Sequence, residues 1–430
     1  MGEAEPGKFF RGEETEQRQA GGMRGMIETL SIGERVAWYR RRRGIPQEVL
    51  AGLVGRTADW LSKVENGRIE LDRLSVIKAL AAALDVQLGD LLVEPSLIDW
   101  STDGRGGAVP KLREALTNYK HMSSLLASES TGPPPDLEIL RAEVGSAWSA
   151  YQDARYARAT RLIPEILADA QRAVRAHEGD DRSKARALLA MAYQGAAMVL
   201  TKTGETDLAW MAADRGLAAA QESGDLVVIG SLFRSVSHCL LAGGRLTAAR
   251  DLVADSAGYL ESGLPDASPT YLSIYGSLFL VGAVAAARLE DRATVSAFLA
   301  EADQAAQRLG HDANHMWTAF GSTNVAIHRI SAAMELGDIQ VAADQGPRVD
   351  SSTLPLERRV RHTLEVARAY SAQNRMDEAL ALVLDAEELA PEQVHYHFIP
   401  RHLVTVWVRQ QRGKPSHLLA GVAQRLRIVG

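Results

Sequence analysis

Three observations predict an all-α fold. Apolar residues recur at helical spacing along almost the whole chain, and no stretch alternates as a half-buried strand would. Two short amphipathic runs meet at a tight glycine, Gly55, within Ser31–Leu92. Beyond Asp136 the chain is rich in alanine, and a pair of turn and small residues five positions apart keeps returning between helical runs. The expected architecture is a five-helix N-terminal domain followed by an α-solenoid.

The first helix opens on Ser31-Ile32-Gly33-Glu34, a capping-box pattern in which the serine caps and Glu34 reaches back. Ile32, Val36 and Tyr39 then share one face, and Arg40–Arg43 close the helix, where cations suit the dipole. That basic end fits either a solvated terminus or a phosphate contact. The second helix starts at Pro46, a favoured first-turn residue. Val49, Leu50 and Leu53 are expected inward, Ala51 lets a neighbour approach, and Gly55 ends the helix. Thr57 can cap the third helix, whose Leu61 and Val64 point to the core. Thr57, Ala58, Asp59, Ser62 and Lys63 share its outward side. A fourth helix is expected over Asp72–Leu84, with Leu74, Ile77, Leu80 and Ala81 inward, and a short fifth over Leu88–Leu92.

The 430-residue chain is 46% hydrophobic and 24% charged, with net charge −6. Arg35–Arg68 holds eight basic and three acidic residues, a net +5, which leaves −11 for the remainder. A basic head on an acidic body suits a nucleic-acid reader whose body should avoid phosphate. Cys239 is the sole cysteine, so disulfides and cysteine zinc sites within the chain are excluded. No uninterrupted apolar run is expected to span a membrane, and Met1–Gly25 is polar and glycine-rich rather than a signal peptide. Residues 1–30 read as a disordered tail, with Met23 and Met26 as alternative starts, and the expected location is cytoplasmic.

Two helices joined by a glycine turn place the outward side of the third helix where a major groove would receive it. Lys63 can donate to a guanine edge, Asp59 can accept from cytosine N4, and Ala58 can touch a thymine methyl. Gln47 can bond a phosphate with its side chain and its helix-terminal N–H; Arg56 and Arg68 are further phosphate candidates. Trp60 suits packing better than a base contact. The run Gln47-Glu48-x-Leu50-Ala51-x3-Gly55, followed by Leu61-Ser62-Lys63-Val64-Glu65-Asn66-Gly67, resembles the Cro/C1-type (XRE) helix-turn-helix family. The resemblance covers about Ser31–Val93 and implies a lambda-repressor-like domain that binds double-stranded DNA. By position it makes Gln47 a backbone anchor and Thr57–Asp59, Ser62 and Lys63 the reading face. Ala58 departs from the long polar residues common there, which shifts specificity toward fewer contacts or DNA shape.

Residues 94–135 read as a linker: Pro95, Gly104, Gly106 and Gly107 break the pattern, one helix is expected over Lys111–Ser128, and Thr131–Pro135 breaks it again. The recurring pairs then follow: Ala154/Ala159, Gly204/Ala209, Gly244/Ala249, Glu290/Val295, Gly337/Ala342 and Asn374/Ala379. Successive pairs are 50, 40, 46, 47 and 37 residues apart. A small residue at the turn, and a small residue early in the second helix, let the arms of a hairpin pack closely. This resembles tetratricopeptide repeats, six elongated units over Asp136–Pro391 and a closing helix near Phe398–Arg412, in a repeat domain spanning 136–430. The combined architecture is similar to bacterial regulators controlled by a bound effector, such as the peptide-pheromone receptors of Gram-positive bacteria.

That resemblance implies a homodimeric transcriptional regulator with a peptide or small-molecule effector in the solenoid. His311–Arg329 is the most unusual body segment, with Trp317, Phe320, Asn324 and His328 as candidate contacts and Arg361 or Arg368 beside them. Asn324 leads, because its amide can pair with a peptide backbone through both carbonyl and N–H. Arg234 and His238, at i and i+4, form a second polar pair; Tyr271 and Tyr275 form a third. Interhelical hydrogen bonding is the alternative use of each. His311/His315 and His395/His397 lack the convergence a metal needs, and no phosphate loop or nucleophile elbow is present. Cys239 reads as a small buried hydrophobe. No cofactor and no catalysis are expected. The competing reading is a helical-repeat adaptor that recruits a protein partner to DNA without a small effector.

Overall fold

The computed structural model describes residues 31–69, 71, 74–84, 86, 91, 108–117, 133–411 and 415–428. Among these the fold is all-α, with one isolated bridge (Ala313 with Phe320) and no strand. The chain divides into two compact units near residue 93.

The N-terminal unit holds α1 (Ile32–Arg42), α2 (Gln47–Leu53), α3 (Ala58–Glu65) and α4 (Leu74–Ala83). The capping box forms: Ser31 N–H donates to Glu34 Oε2 at 2.7 Å, and Glu34 N–H donates to Ser31 Oγ at 3.1 Å. Val36, Leu50, Leu61, Val64, Ile77, Leu80, Leu84 and Leu91 build one core. Fully burying each such side chain stabilises by ~1.5–3 kcal/mol. A glycine is required where α1 crosses α3, because a Cβ on Gly33 would lie 2.0 Å from the Val64 carbonyl oxygen. Of the expected fifth helix only helical Leu91 is described, fully buried, and its carbonyl accepts from Arg35 Nη1 at 2.6 Å. The expected disordered tail (1–30) lies outside the described residues.

Two sequence expectations are corrected here. Val49 and Leu53 do not point inward; they are 51% and 64% exposed. A helix of seven residues buries only a narrow stripe, here Leu50 and Ala51, and Val49 and Leu53 form the i, i+4 pair on the other side. Arg40 is not part of a solvated basic end. Its Nε and Nη2 grip both Glu65 oxygens at 2.5 and 2.7 Å in the core, so α1 and α3 are clamped by a buried bidentate pair.

The first described helix of the second unit is α5 (Ala108–Thr117), which starts earlier than the expected Lys111 and packs onto the body. Leu112 and Leu116 are fully buried, Arg113 pairs with Glu205 at 2.7 Å, and Arg215 donates to the Leu116 carbonyl. Residues 94–107 and 118–132 of the expected linker lie outside the described residues.

Six helical hairpins follow. They are α6 (Leu137–Gln152) with α7 (Tyr156–Ala176), α8 (Gly179–Lys202) with α9 (Thr206–Ser223), and α10 (Leu226–Ala242) with α11 (Leu246–Leu260). Then come α12 (Pro269–Arg288) with α13 (Arg292–Leu309), α14 (Ser322–Leu336) with α15 (Ile339–Gln345), and α16 (Leu356–Ala372) with α17 (Met376–Leu389). Every hairpin turns the same way. The first residue of each recurring pair has a left-handed backbone: Ala154, Gly204, Gly244, Glu290, Gly337 and Asn374 have φ between 57° and 80°. The next N–H bonds the carbonyl five residues back, as in Arg155 to Ala150, Glu205 to Leu200 and Asp338 to Ala333. The second residue of each pair is buried where the arms meet.

The solenoid turns back on itself. Between α13 and α14, residues 310–321 form a loop with left-handed backbone at Met316, Trp317 and Ala319. Trp317 stacks on Trp148 of the first hairpin, centroids 5.1 Å apart and planes within 8°. Gln152 and Asn314 exchange hydrogen bonds at 3.0 and 2.8 Å. Glu392 accepts from the Ala157 N–H at 2.8 Å. The closing segment is three helices rather than one: α18 (Pro391–Tyr396), α19 (Phe398–Gln410) and α20 (His417–Arg425). By length and composition alone α12 could cross a membrane, but 78% of that window is buried among the other helices, as in a core helix of the body.

Candidate functional site

The outward side of α3 carries the residues expected to meet DNA. Thr57 caps the helix, accepting from the Trp60 N–H at 3.2 Å, so its hydroxyl is committed in part to the fold. Ala58 and Ser62 are half-buried, and Asp59 and Lys63 are exposed. Asp59 and Lys63 pair with each other at 2.6 Å across one turn. An exposed i, i+4 pair contributes only ~0.3–0.5 kcal/mol, so both side chains are free to exchange this bond for base edges. Gln47 opens α2 and donates its Nε2 to Glu65 Oε2 at 2.7 Å. Arg40, Glu65 and Gln47 therefore form one chain of polar contacts, which fixes the start of α2 against α3. Arg56 lies over the Trp60 ring at 5.7 Å, and Arg68 is exposed beyond Gly67. Trp60 packs against the core edge.

The family described as a helix-turn-helix domain matches residues 31–94. Residues 31–94 are a helix-turn-helix domain. No curated protein matches the chain.

The second candidate site is the interior of the body, where the first arms of the hairpins converge. Asn324 is buried, donates from Nδ2 to the Thr318 carbonyl at 3.4 Å, and leaves Oδ1 without a partner. His328 is buried with Nδ1 2.9 Å from the Asn324 carbonyl. Burial, then Arg358, lowers its pKa to about 3, so it is neutral at physiological pH. His238 is pushed far down as well, by burial first and then by Arg234 and Arg358. Arg234 is buried, its Nη1 is unpartnered, and burial followed by Arg358 pulls its pKa down to about 10. Arg361 reaches Glu365 weakly at 3.4 Å, and Arg368 reaches Glu335 and Glu365 at 3.3 and 3.4 Å.

The other predicted contacts have structural partners. Phe320 is fully enclosed, its ring edge against Gly276, where a Cβ would lie 2.0 Å from Cζ. It is a core residue with no face for a ligand, because the α12–α14 crossing is filled by the ring. Trp317 spends one face on Trp148. Tyr271 is buried and donates to the Leu260 carbonyl at 2.7 Å; Tyr275 stands edge-on to Phe279.

Sequence reasoning missed Lys202, Glu357 and Arg358. Half-buried Lys202 of α8 donates to buried Glu357 of α16, and Lys202 with Arg358 and Arg361 holds the Glu357 carboxyl down at about 2 against the opposing effect of burial. A signal was present. Arg358, Arg361, Glu365 and Arg368 recur at spacings of three and four along one helix, which puts four charges on one face.

Proposed function

We propose that the protein is a cytoplasmic, Cro/C1-type DNA-binding transcriptional regulator. In this reading it acts as a homodimer, and its tetratricopeptide-like body binds a peptide or small-molecule effector. The helix-turn-helix match carries the first half of the reading, supported by the exposed, mutually paired Asp59 and Lys63 on the outward side of α3. In this reading α3 enters the major groove, Thr57–Asp59, Ser62 and Lys63 face base edges, and Gln47, Arg56 and Arg68 hold phosphates.

The effector half is supported by buried polar groups in the body that the fold leaves unmatched, above all Arg234 Nη1 and Asn324 Oδ1. Such groups cost stability and favour a ligand that completes them. Of the predicted effector contacts, Asn324, His328, Arg234 and His238 stay in this reading. No catalytic step and no cofactor are assigned. An effector acts only by binding one arrangement of the dimer better than another.

The test is genome-wide capture of DNA on the purified protein, with and without a dialysable extract of producing cells. A palindromic site whose occupancy responds to the extract is expected. An enriched site indifferent to every small component would move the reading to a protein-recruiting adaptor. Absence of any enriched site would overturn both.

A further inference from the structure

The interior of the body holds more positive than negative charge. Around Glu357 lie Lys202, Arg234 and Arg358, and only Lys202 is paired with it. Arg234 of α10 is 6% exposed, with Nη1 unpartnered; Arg358 of α16 has its buried Nε unpartnered. Arg361, one turn further on α16, also leaves its Nε unpartnered. Elsewhere in the interior the charges balance two against two: Arg288 and Arg368 meet Glu335, and Arg368 also reaches Glu365, which leaves Arg361, 3.4 Å from the same Glu365, on the side of the excess. The excess is local. A buried guanidinium without a carboxylate costs several kcal/mol of desolvation that nothing returns. Such a group is retained at a loss unless an anion completes it, and a planar fork of N–H donors matches a carboxylate or phosphate.

The surroundings keep the excess positive. His238 and His328 face the arginines and remain neutral, because burial and the same arginines oppose their protonation. Neutral imidazoles add hydrogen-bonding atoms without adding repulsion. Glu357 is bonded to Lys202 and acts on Arg234 only through space.

We propose that Arg234 and Arg358, with Arg361 beside them, form an oxyanion seat inside the helical body that takes a carboxylate or phosphate group of the effector. This rests on the reading of the body as an effector domain and names the chemistry its ligand must carry. A peptide would present a carboxylate, and a phosphorylated metabolite its phosphate.

The full chain is purified in chloride buffer, and its unfolding temperature is followed while inorganic phosphate or citrate replaces chloride at constant ionic strength. The wild type should gain a few degrees in a saturable way with at least one of the two anions, and the arm that responds names the oxyanion. Arg234→Met/Arg358→Met should lose the saturable response and, without anion, be at least as stable as the wild type. A structural role would instead lower its stability. Arg358→Gln alone, read by titration calorimetry, covers the case in which the double variant fails to fold. Arg161→Met, on the exposed side of α7, should respond like the wild type. No response to either anion, or an equal response in the double variant, would overturn the seat. If extract still changes DNA occupancy in that case, only the seat falls. If the anions bind but nothing dialysable changes DNA occupancy, the seat stands and effector control of DNA binding falls.

Discussion

Each unit buries one arginine that contrasts with the other, Arg40 in the first and Arg234 in the second. In the helix-turn-helix domain Arg40 meets both oxygens of Glu65 and also donates to the Ile45 carbonyl, and Gln47 donates a further bond to the same carboxylate. Its charge is fully answered. In the body Arg234 is as deeply buried, and among the described residues no carboxylate forms an ion pair with it, Glu357 acting on it only through space. An answered buried pair fixes geometry, here the angle at which α3 is presented. An unanswered buried cation fixes nothing by itself and pays a standing desolvation cost, which suits a group waiting for a partner. The contrast is broken most directly by methionine. Arg40→Met should cost ~3–5 kcal/mol, because it strands Glu65, while Arg40→Met/Glu65→Leu should recover most of that loss. Arg234→Met should cost nothing or stabilise. Calorimetric unfolding of the three variants checks this, and a large loss at Arg234 would erase the distinction.

The next effect separates reading from holding within the first unit. Asp59→Ala and Lys63→Ala should each remove ~1–3 kcal/mol of discrimination between DNA sites if they make good base contacts. Folding stability should change by less than ~1 kcal/mol, since their mutual bond is exposed. Gln47→Ala should weaken binding to all sites alike and also loosen the Arg40–Glu65 clamp. Competition binding against single-base variants of the captured site measures the first pair, and unchanged preference there would remove α3 from the reading role.

How much of this was legible differs between the units for a physical reason. Caps, turns and core stripes are local, so Ser31, Gly55, Thr57, Leu61 and the six recurring pairs could be read from neighbours in the chain. The turn at Glu290 is legible only through the spacing it shares with the other pairs, and its left-handed backbone is not announced by its residue type. The contacts that define the interior are between residues far apart in sequence: Lys202 with Glu357, Trp148 with Trp317, Arg40 with Glu65. No periodicity encodes these. The same limit explains Phe320, which looked like an anchor by type and is a core residue by its position over Gly276. The inward expectation for Val49 and Leu53 failed because helical periodicity gives a face, and only the partner says how wide a face is covered.

Acid should distinguish the two units again. His238, His328 and His397 in the body all have pKa values lowered by burial, His328 to about 3. Unfolded histidine takes up a proton near pH 6.5, so below that pH the unfolded chain binds more protons than the folded one. Stability of the body should therefore fall as pH drops from ~6.5, each histidine contributing up to ~1.4 kcal/mol per pH unit. Glu335 and Glu357, whose pKa values are lowered, add to the loss only below their ordinary value of 4.5. The helix-turn-helix domain (residues 31–94) contains no histidine and should be flat between pH 7.5 and 5. Unfolding temperatures across that range test the difference, and His328→Gln should reduce the slope for the body by about one proton.

The smallest effect compares the repeats among themselves. Three of the six hairpins turn on glycine, and the others carry a side chain there: Ala154, Asn374 and, in the fourth, exposed Glu290 at φ 59°. A side chain in that region costs ~1–2 kcal/mol because Cβ approaches the next carbonyl oxygen, while glycine pays no such cost. Glu290→Gly should therefore stabilise the body by ~0.5–1 kcal/mol, the relief being offset by the extra freedom glycine gives the unfolded chain. Gly204→Ala, at φ 79° in the second hairpin, should lose ~1 kcal/mol or more for the same reason. Opposite signs in denaturant unfolding would show that one turn geometry is imposed on every repeat and that the fourth adopts it under strain. Equal signs would mean that the Glu290 side chain contributes more to its turn than its backbone conformation costs.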